Sequence, residues 1–171
     1  MTSDRPKRSQ KTNRAGFRIS AARLAAAQAL YEIEVAGAQP EAVLTAFLEK
    51  RWRDLTLQDP DINPEDVSKA RLANPDPAYL KKLVEGVVEN RERISNDIDA
   101  VLTGDWVTGR LDALMRMILF AAAFEFIYEP GVPKRVVISE YTDLFHAFFE
   151  DKEAAFSTGI LSSMAAALRP E

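Results

Sequence analysis

Apolar residues along this chain recur at three- and four-residue steps, the period of an amphipathic α-helix, and no segment shows the clean alternation of a half-buried strand. A first helix is predicted from about Ile19 to Ala36, stopped at Gly37, since glycine readily takes the left-handed conformation that ends helices. Pro40 suits the first turn of a second helix, "PEAVLTAFLEKRW". From Pro77, "PAYLKKLVEGVVENRERI" reads as a third, and Ser95 caps a fourth that runs through Leu102. After "TGDWVTG" a fifth helix extends from about Arg110 to Tyr128, ahead of Pro130 and Gly131. Pro133 opens a sixth, through Phe149, and "EAAFSTGILSSMAAAL" supplies the seventh. The connections are mostly short, so an all-α fold is expected: a compact bundle of about seven helices.

Stepping each helix at its own period separates core from surface. The fifth is apolar almost all round, with only Asp112, Arg116 and Glu125 among its Leu, Met, Ile and Phe residues, so it belongs in the middle. The sixth gathers Val137, Ile138, Tyr141, Leu144, Phe145, Phe148 and Phe149 on one side and Ser139, Glu140, Thr142, Asp143 and His146 on the other. The first has two apolar faces, one of Ile19, Leu30 and Ile33, the other of Leu24, Tyr31 and Val35. Such a helix touches either two layers of its own bundle, or its own core and a partner protein. Between the faces lie Arg23 and Glu34 on one side and Gln28 and Glu32 on the other. The charged head of Arg23 is expected to reach solvent.

Charge changes this picture at one end. Residues 1–23 hold seven basic side chains against Asp4, a net of +6, which leaves −10 for the rest of a chain whose total is −4. Residues 1–18 lack periodic apolar content and are predicted to be a flexible basic arm, followed by one helical domain over residues 19–171. Within it, about residues 54–76, comes an acidic, Pro-rich loop with a short turn of helix around 64–70, too long for a plain connector. A polyanion such as RNA would be repelled by most of this surface and drawn to the arm, which can alternatively be only a solubilising tail.

Other classes of function find little support. The chain has no cysteine, so disulfides, thiolate catalysis and Cys-ligated zinc are excluded. The run "MILFAAAF" is too short to span a bilayer, and although a basic, acid-poor start also suits a transit peptide, a cytoplasmic protein is expected. His146 is the one histidine; with Glu140 and Asp143 it drifts around its helix instead of converging on an ion. No phosphate-binding glycine loop or nucleophile elbow is present, so no enzyme, metal or cofactor is expected. Binding has more to offer: arm cations for phosphates, and Phe156, before "STG", as an aromatic that either stacks on a base or fills the core.

The segments "ARLAAAQALYEIEVAG", "YLKKLVEGVVENR", "ALMRMILFAAAFEF", "VPKRVVISEYTDLFHAFF" and "AFSTGIL", in this order and spacing, resemble the bacterial transcription antitermination NusB family over about residues 19–169. That resemblance implies a helical bundle without catalytic activity. It further implies binding to the single-stranded boxA element of nascent ribosomal RNA, pairing with the ribosomal protein NusE, and a role in the transcription elongation complex that supports ribosomal RNA transcription and maturation. Carried over to matching positions, it implies RNA contacts at Arg23, Gln28 and Phe156, and places Tyr31 in the same motif, here the candidate for the partner protein. The family's arginine run is reduced here to Arg23, its charge moved upstream to Lys7, Arg8, Lys11, Arg14 and Arg18, which become the candidate phosphate contacts. Thr158 and Ser139 stand where the family usually has Asn. The same fold occurs as a regulatory RNA-binding domain of ribosomal RNA methyltransferases, but no α/β domain follows here, so the stand-alone factor is expected; a helical module that binds only protein is the other alternative.

Overall fold

The computed structural model describes residues 7–49 and 74–170, with side chains from Gly16 onward. Among these residues there are seven α-helices and no strand: α1 (Lys7–Ala36), α2 (Pro40–Leu48), α3 (Pro77–Glu89), α4 (Arg91–Val101), α5 (Ala113–Tyr128), α6 (Lys134–Phe148) and α7 (Asp151–Leu168). A 3₁₀ turn, Thr108–Arg110, precedes α5. No helix among them is long and apolar enough to cross a membrane. The loop expected over 54–76, its short helical turn included, lies outside the described residues except for its last three positions.

Local chemistry sets the helix ends. Gly37 takes φ +63° and closes α1. Asp76 accepts the Tyr79 N–H at 2.9 Å to cap α3, with Pro77 in its first turn. Asp112 accepts from Leu114 N–H at 2.9 Å and Met115 N–H at 3.2 Å, so α5 starts at Ala113, later than expected. The predicted third helix is two. Asn90 ends α3, its amide donating to the Gly86 carbonyl at 2.8 Å, and α4 starts directly at Arg91, earlier than Ser95. Tyr128 Oη donates to Asn90 Oδ1 at 2.9 Å and pins that break to α5. The first helix begins at Lys7 instead of Ile19: helix-favouring Lys, Arg and Gln without proline let the turn propagate outward from a body that has already nucleated it.

Packing follows the predicted periodicity. Every residue from Met117 to Phe126 is buried, and α5 touches α1, α3, α4, α6 and α7. Ala22, Ala25, Ala26 and Ala29 of α1 and Ala121–Ala123 of α5 are all buried in one core, in which these two helices pack against each other. α6 and α7 lie side by side as a hairpin. Val137, Tyr141 and Phe145 fill the core as expected, each large apolar side chain contributing about 1.5–3 kcal/mol. Phe148 differs: it occupies the last position of α6 and is exposed.

Two glycines within helices make opposite demands. A Cβ at Gly86 would lie 2.1 Å from the Phe124 ring, itself buried in α5, whereas one at Gly159 meets nothing within 4 Å. Gly86→Ala should therefore destabilise by about 1–3 kcal/mol, the overpacking outweighing the gain in helix propensity. Gly159→Ala should stabilise by up to about 1 kcal/mol. Thermal unfolding of the two variants checks both signs.

Candidate nucleic-acid interface

The two central helices carry a charge pair into the core. Arg23 is 3% exposed, contrary to the expectation that its head reaches solvent. Alanines on both sides of it let α5 close over that part of α1, leaving no path for a guanidinium to snorkel. Instead Arg23 Nε donates to Glu125 Oε2 at 2.9 Å and Nη2 to Oε1 at 2.8 Å, the bidentate geometry a carboxylate accepts best. Tyr79 Oη donates to Glu125 Oε1 and Tyr141 Oη to Oε2. Glu140 stands 3.8 Å from Arg23 Nη1, and Ser20 Oγ donates to it at 2.9 Å. The buried carboxylate is thus saturated by four donors from three helices.

Its charge feeds back on its partners. Burial acts against the Arg23 charge, but the Glu125 hydrogen bonds and field more than offset it, so its pKa rises above the ordinary value. Burial, followed by the Glu125 charge and hydrogen bond, pushes the Tyr79 and Tyr141 phenols up. Glu125, Tyr79 and Tyr141 did not emerge as a site from the sequence; the available signal was one carboxylate inside an otherwise apolar helix.

A second cluster holds the far end of α1. Glu34 pairs with Arg91 Nη2 at 2.5 Å and Arg116 Nη2 at 2.8 Å. Burial would raise the Glu34 pKa, but the two arginines hold it below the usual value. Immediately beside Glu34 the outer face of α1 is uncovered, with Tyr31 40% and Val35 59% exposed and Gln28 half-buried one turn before Tyr31.

The other candidates fall into two places. Positions 7, 11, 14 and 18 repeat at i, i+4, i+7 and i+11, so Lys7, Lys11, Arg14 and Arg18 share one side of the α1 backbone, with Arg8 beside Lys7. Arg18 is exposed; the side chains of Lys7, Arg8, Lys11 and Arg14 lie outside the described residues. Phe156 is not a core residue. It is 37% exposed on α7 and rests against Trp106, 44% exposed, with ring centroids 5.1 Å apart and planes tilted by 49°. Trp106 escaped sequence reasoning, although an aromatic within a glycine-punctuated loop is a signal. Ser139 and His146 are exposed on α6, and Thr158 Oγ1 donates to the Ala154 carbonyl at 2.8 Å.

The sequence profile of the NusB family matches residues 20–166. The chain is 40% identical over 146 residues to the transcription antitermination protein NusB of Caulobacter vibrioides, covering 85% of this chain and 91% of that one. It is 38% identical over 165 residues to its namesake from Maricaulis maris, covering 96% of each. Among solved structures it resembles T. maritima NusB (TM-score 0.62, 22% identity, covering 85% of this chain and 89% of that one). It also resembles a crystal structure of antitermination factors NusB and NusE in complex with double-stranded RNA (TM-score 0.65, 24% identity, 86% and 96% covered). At these identities the structures speak for the fold.

Because Arg23 is buried, Arg23→Ala should cost about 3–5 kcal/mol by leaving the Glu125 charge without its counter-ion. In a double-mutant cycle with Glu125→Ala, the paired loss should fall short of the sum of the single losses; urea unfolding measures all four states. The raised phenols make a separate prediction. The native state keeps protons that unfolded tyrosines release above pH about 10, so stability present below that pH should decline as pH rises, by about 1.4 kcal/mol per pH unit for each phenol. Urea titrations from pH 9 to pH 11 should show a shallower decline in Tyr141→Phe than in the parent.

Proposed function

The chain belongs to the NusB family, and from that premise we propose that this transcription antitermination factor binds single-stranded boxA RNA of nascent ribosomal transcripts together with the ribosomal protein NusE. It is a binding factor and not an enzyme. Its work is to hold RNA and a partner within the transcription elongation complex, in the cytoplasm where transcripts are made. The family match over residues 20–166 carries this reading.

The charge distribution supports a division of labour. Lys7, Arg8, Lys11, Arg14 and Arg18 supply phosphate contacts along the basic segment that precedes the helical domain of residues 19–171. On a helix, Lys7 to Arg18 span about 16 Å at 1.5 Å per residue, room for a few nucleotides of single strand. Gln28 and Phe156 add contacts on the body. Arg23, sealed in the core, serves RNA only by holding α1 in place. Tyr31, next to Val35 on the uncovered face of α1, receives NusE: an exposed tyrosine beside an exposed valine has the composition of an interface anchor.

Measuring RNA affinity against salt tests the proposal. If three to five arm cations meet phosphates, log K should fall against log salt concentration with a slope of roughly −2 to −3.5 for a single strand. Deleting residues 1–17 should flatten the slope, weaken boxA binding and leave NusE binding and the melting temperature nearly unchanged. Tyr31→Asp should do the reverse, losing NusE first because a desolvated carboxylate finds no partner there. An unchanged slope in the truncated protein would rule out the arm as the source of the phosphate contacts, and absence of RNA binding by the full chain would leave only a protein-binding helical module.

A further inference from the structure

Outside the arm and the Tyr31 face, one aromatic feature is built with more care than a surface loop requires. Trp106 and Phe156 come from elements fifty residues apart in sequence, yet their rings touch, and Val107 beside them is 46% exposed. The loop carrying the indole is fastened on both sides. Gly104, at φ +65°, makes the turn, and Trp106 N–H donates to the Thr103 carbonyl at 3.4 Å. Thr108 N–H donates to Asp99 Oδ1 at 2.7 Å, and its hydroxyl is 2.9 Å from that of Ser95. Arg116 Nη1 reaches the Thr108 carbonyl at 3.3 Å. A backbone tied to α4 and α5 in this way holds a large apolar ring in water, an arrangement that a search for stability alone would not favour.

The neighbouring groups limit what such a ring pair can take. Three exposed side chains offer far less than the roughly 800 Å² per partner of a stable protein interface, but a ring the size of one nucleobase fits them. The polar residues after Phe156 are already committed: Ser157 Oγ donates to the Glu153 carbonyl at 2.8 Å and Thr158 Oγ1 to the Ala154 carbonyl at 2.8 Å. Neither hydroxyl proton is left to read a base edge. Arg110 is exposed at the end of the same loop, with one guanidinium N–H on the Asp105 carbonyl at 3.0 Å and other donors in place for a phosphate. Stacking is the interaction this corner supplies.

We propose that Trp106, seated against Phe156, forms a platform on which one unpaired RNA base stacks, and that the platform accepts the base by its face with little regard to its identity. This deepens the RNA-binding reading above and rests on it. Stacking on an already oriented indole avoids most of the ordering cost of a mobile side chain. It also adds an affinity component unrelated to counterion release, so the platform and the basic arm are separable by salt.

The test uses the full chain. Replacing Trp52 by Phe leaves Trp106 as the sole indole, since the chain has two. Titration with a single-stranded RNA of about twelve nucleotides containing boxA should quench its fluorescence. Trp106→Ala should bind the same RNA about ten-fold or more weakly at every salt concentration, with an unchanged salt slope. Trp106→Tyr should retain most of the affinity, and its folding can be confirmed by the melting temperature. An abasic nucleotide walked along the RNA should reproduce the loss at one position, where exchanging one base for another should matter little. Binding without quenching, or full affinity in Trp106→Ala, overturns the platform and leaves RNA binding standing. Loss of NusE affinity instead of RNA affinity also overturns it. A parent protein that binds no RNA at any salt concentration overturns both readings together.

Discussion

A carboxylate in the middle of the bundle governs how the helices meet. Glu125 lies fully buried on the central helix, and an ion there is tolerable only when every lone pair is engaged. Arg23 from α1, Tyr79 from α3 and Tyr141 from α6 supply the four donors. Moving any of these helices by one turn would separate a donor from its acceptor and leave charge in an apolar interior. Hydrophobic contacts among alanines and leucines tolerate such slips far better, because they are not directional. The quartet therefore fixes register where the core would supply only attraction.

Register in α1 then determines what the surface displays. Eight residues beyond Arg23 comes Tyr31, and eleven beyond comes Glu34, so the anchored arginine sets the azimuth of both. Glu34 locks that end through Arg91 and Arg116, tying α1 to the start of α4 and to α5. At the other end of α5, Arg169 donates to the carbonyls of Glu125 and Phe126 at 2.8 Å and of Glu129 at 2.5 Å, and also to that of Val132. A cation placed on the last carbonyls of a helix also suits its dipole. Charged side chains thus act inside this protein as fasteners between helices.

Periodicity made the helices legible, and the all-round apolarity of α5 revealed its central place. Proline and glycine marked most of the boundaries. What periodicity could not reveal was pairing across a hundred residues. On a helical wheel Arg23 sits between two apolar faces, a position equally suited to solvent and to a buried partner, and only the arrival of Glu125 decides between them. Asn90 illustrates a smaller gap: a continuous helical pattern ran through it, and the break depends on the Gly86 carbonyl and the Tyr128 hydroxyl. Phe156 shows the converse. Its spacing suited the core, but α7 turns that side outward and leaves it to Trp106.

The resulting partition of charge bears on recognition. Beyond residue 23 the chain carries a net −10, so a polyanion approaching the body meets repulsion over most of its surface. The charge of Arg23 does not offset this locally, because it is paired with Glu125 in the core. The basic segment of residues 1–23 holds a net +6, and contacts on the body gain from interactions indifferent to net charge. Aromatic stacking is such an interaction, and the loop between α4 and α5 places its indole where an acidic surface would otherwise offer RNA little. In the proposed arrangement two separable forces, one screened by salt and one not, let an acidic protein hold an acidic ligand without surrendering the charge balance that keeps its own helices in register.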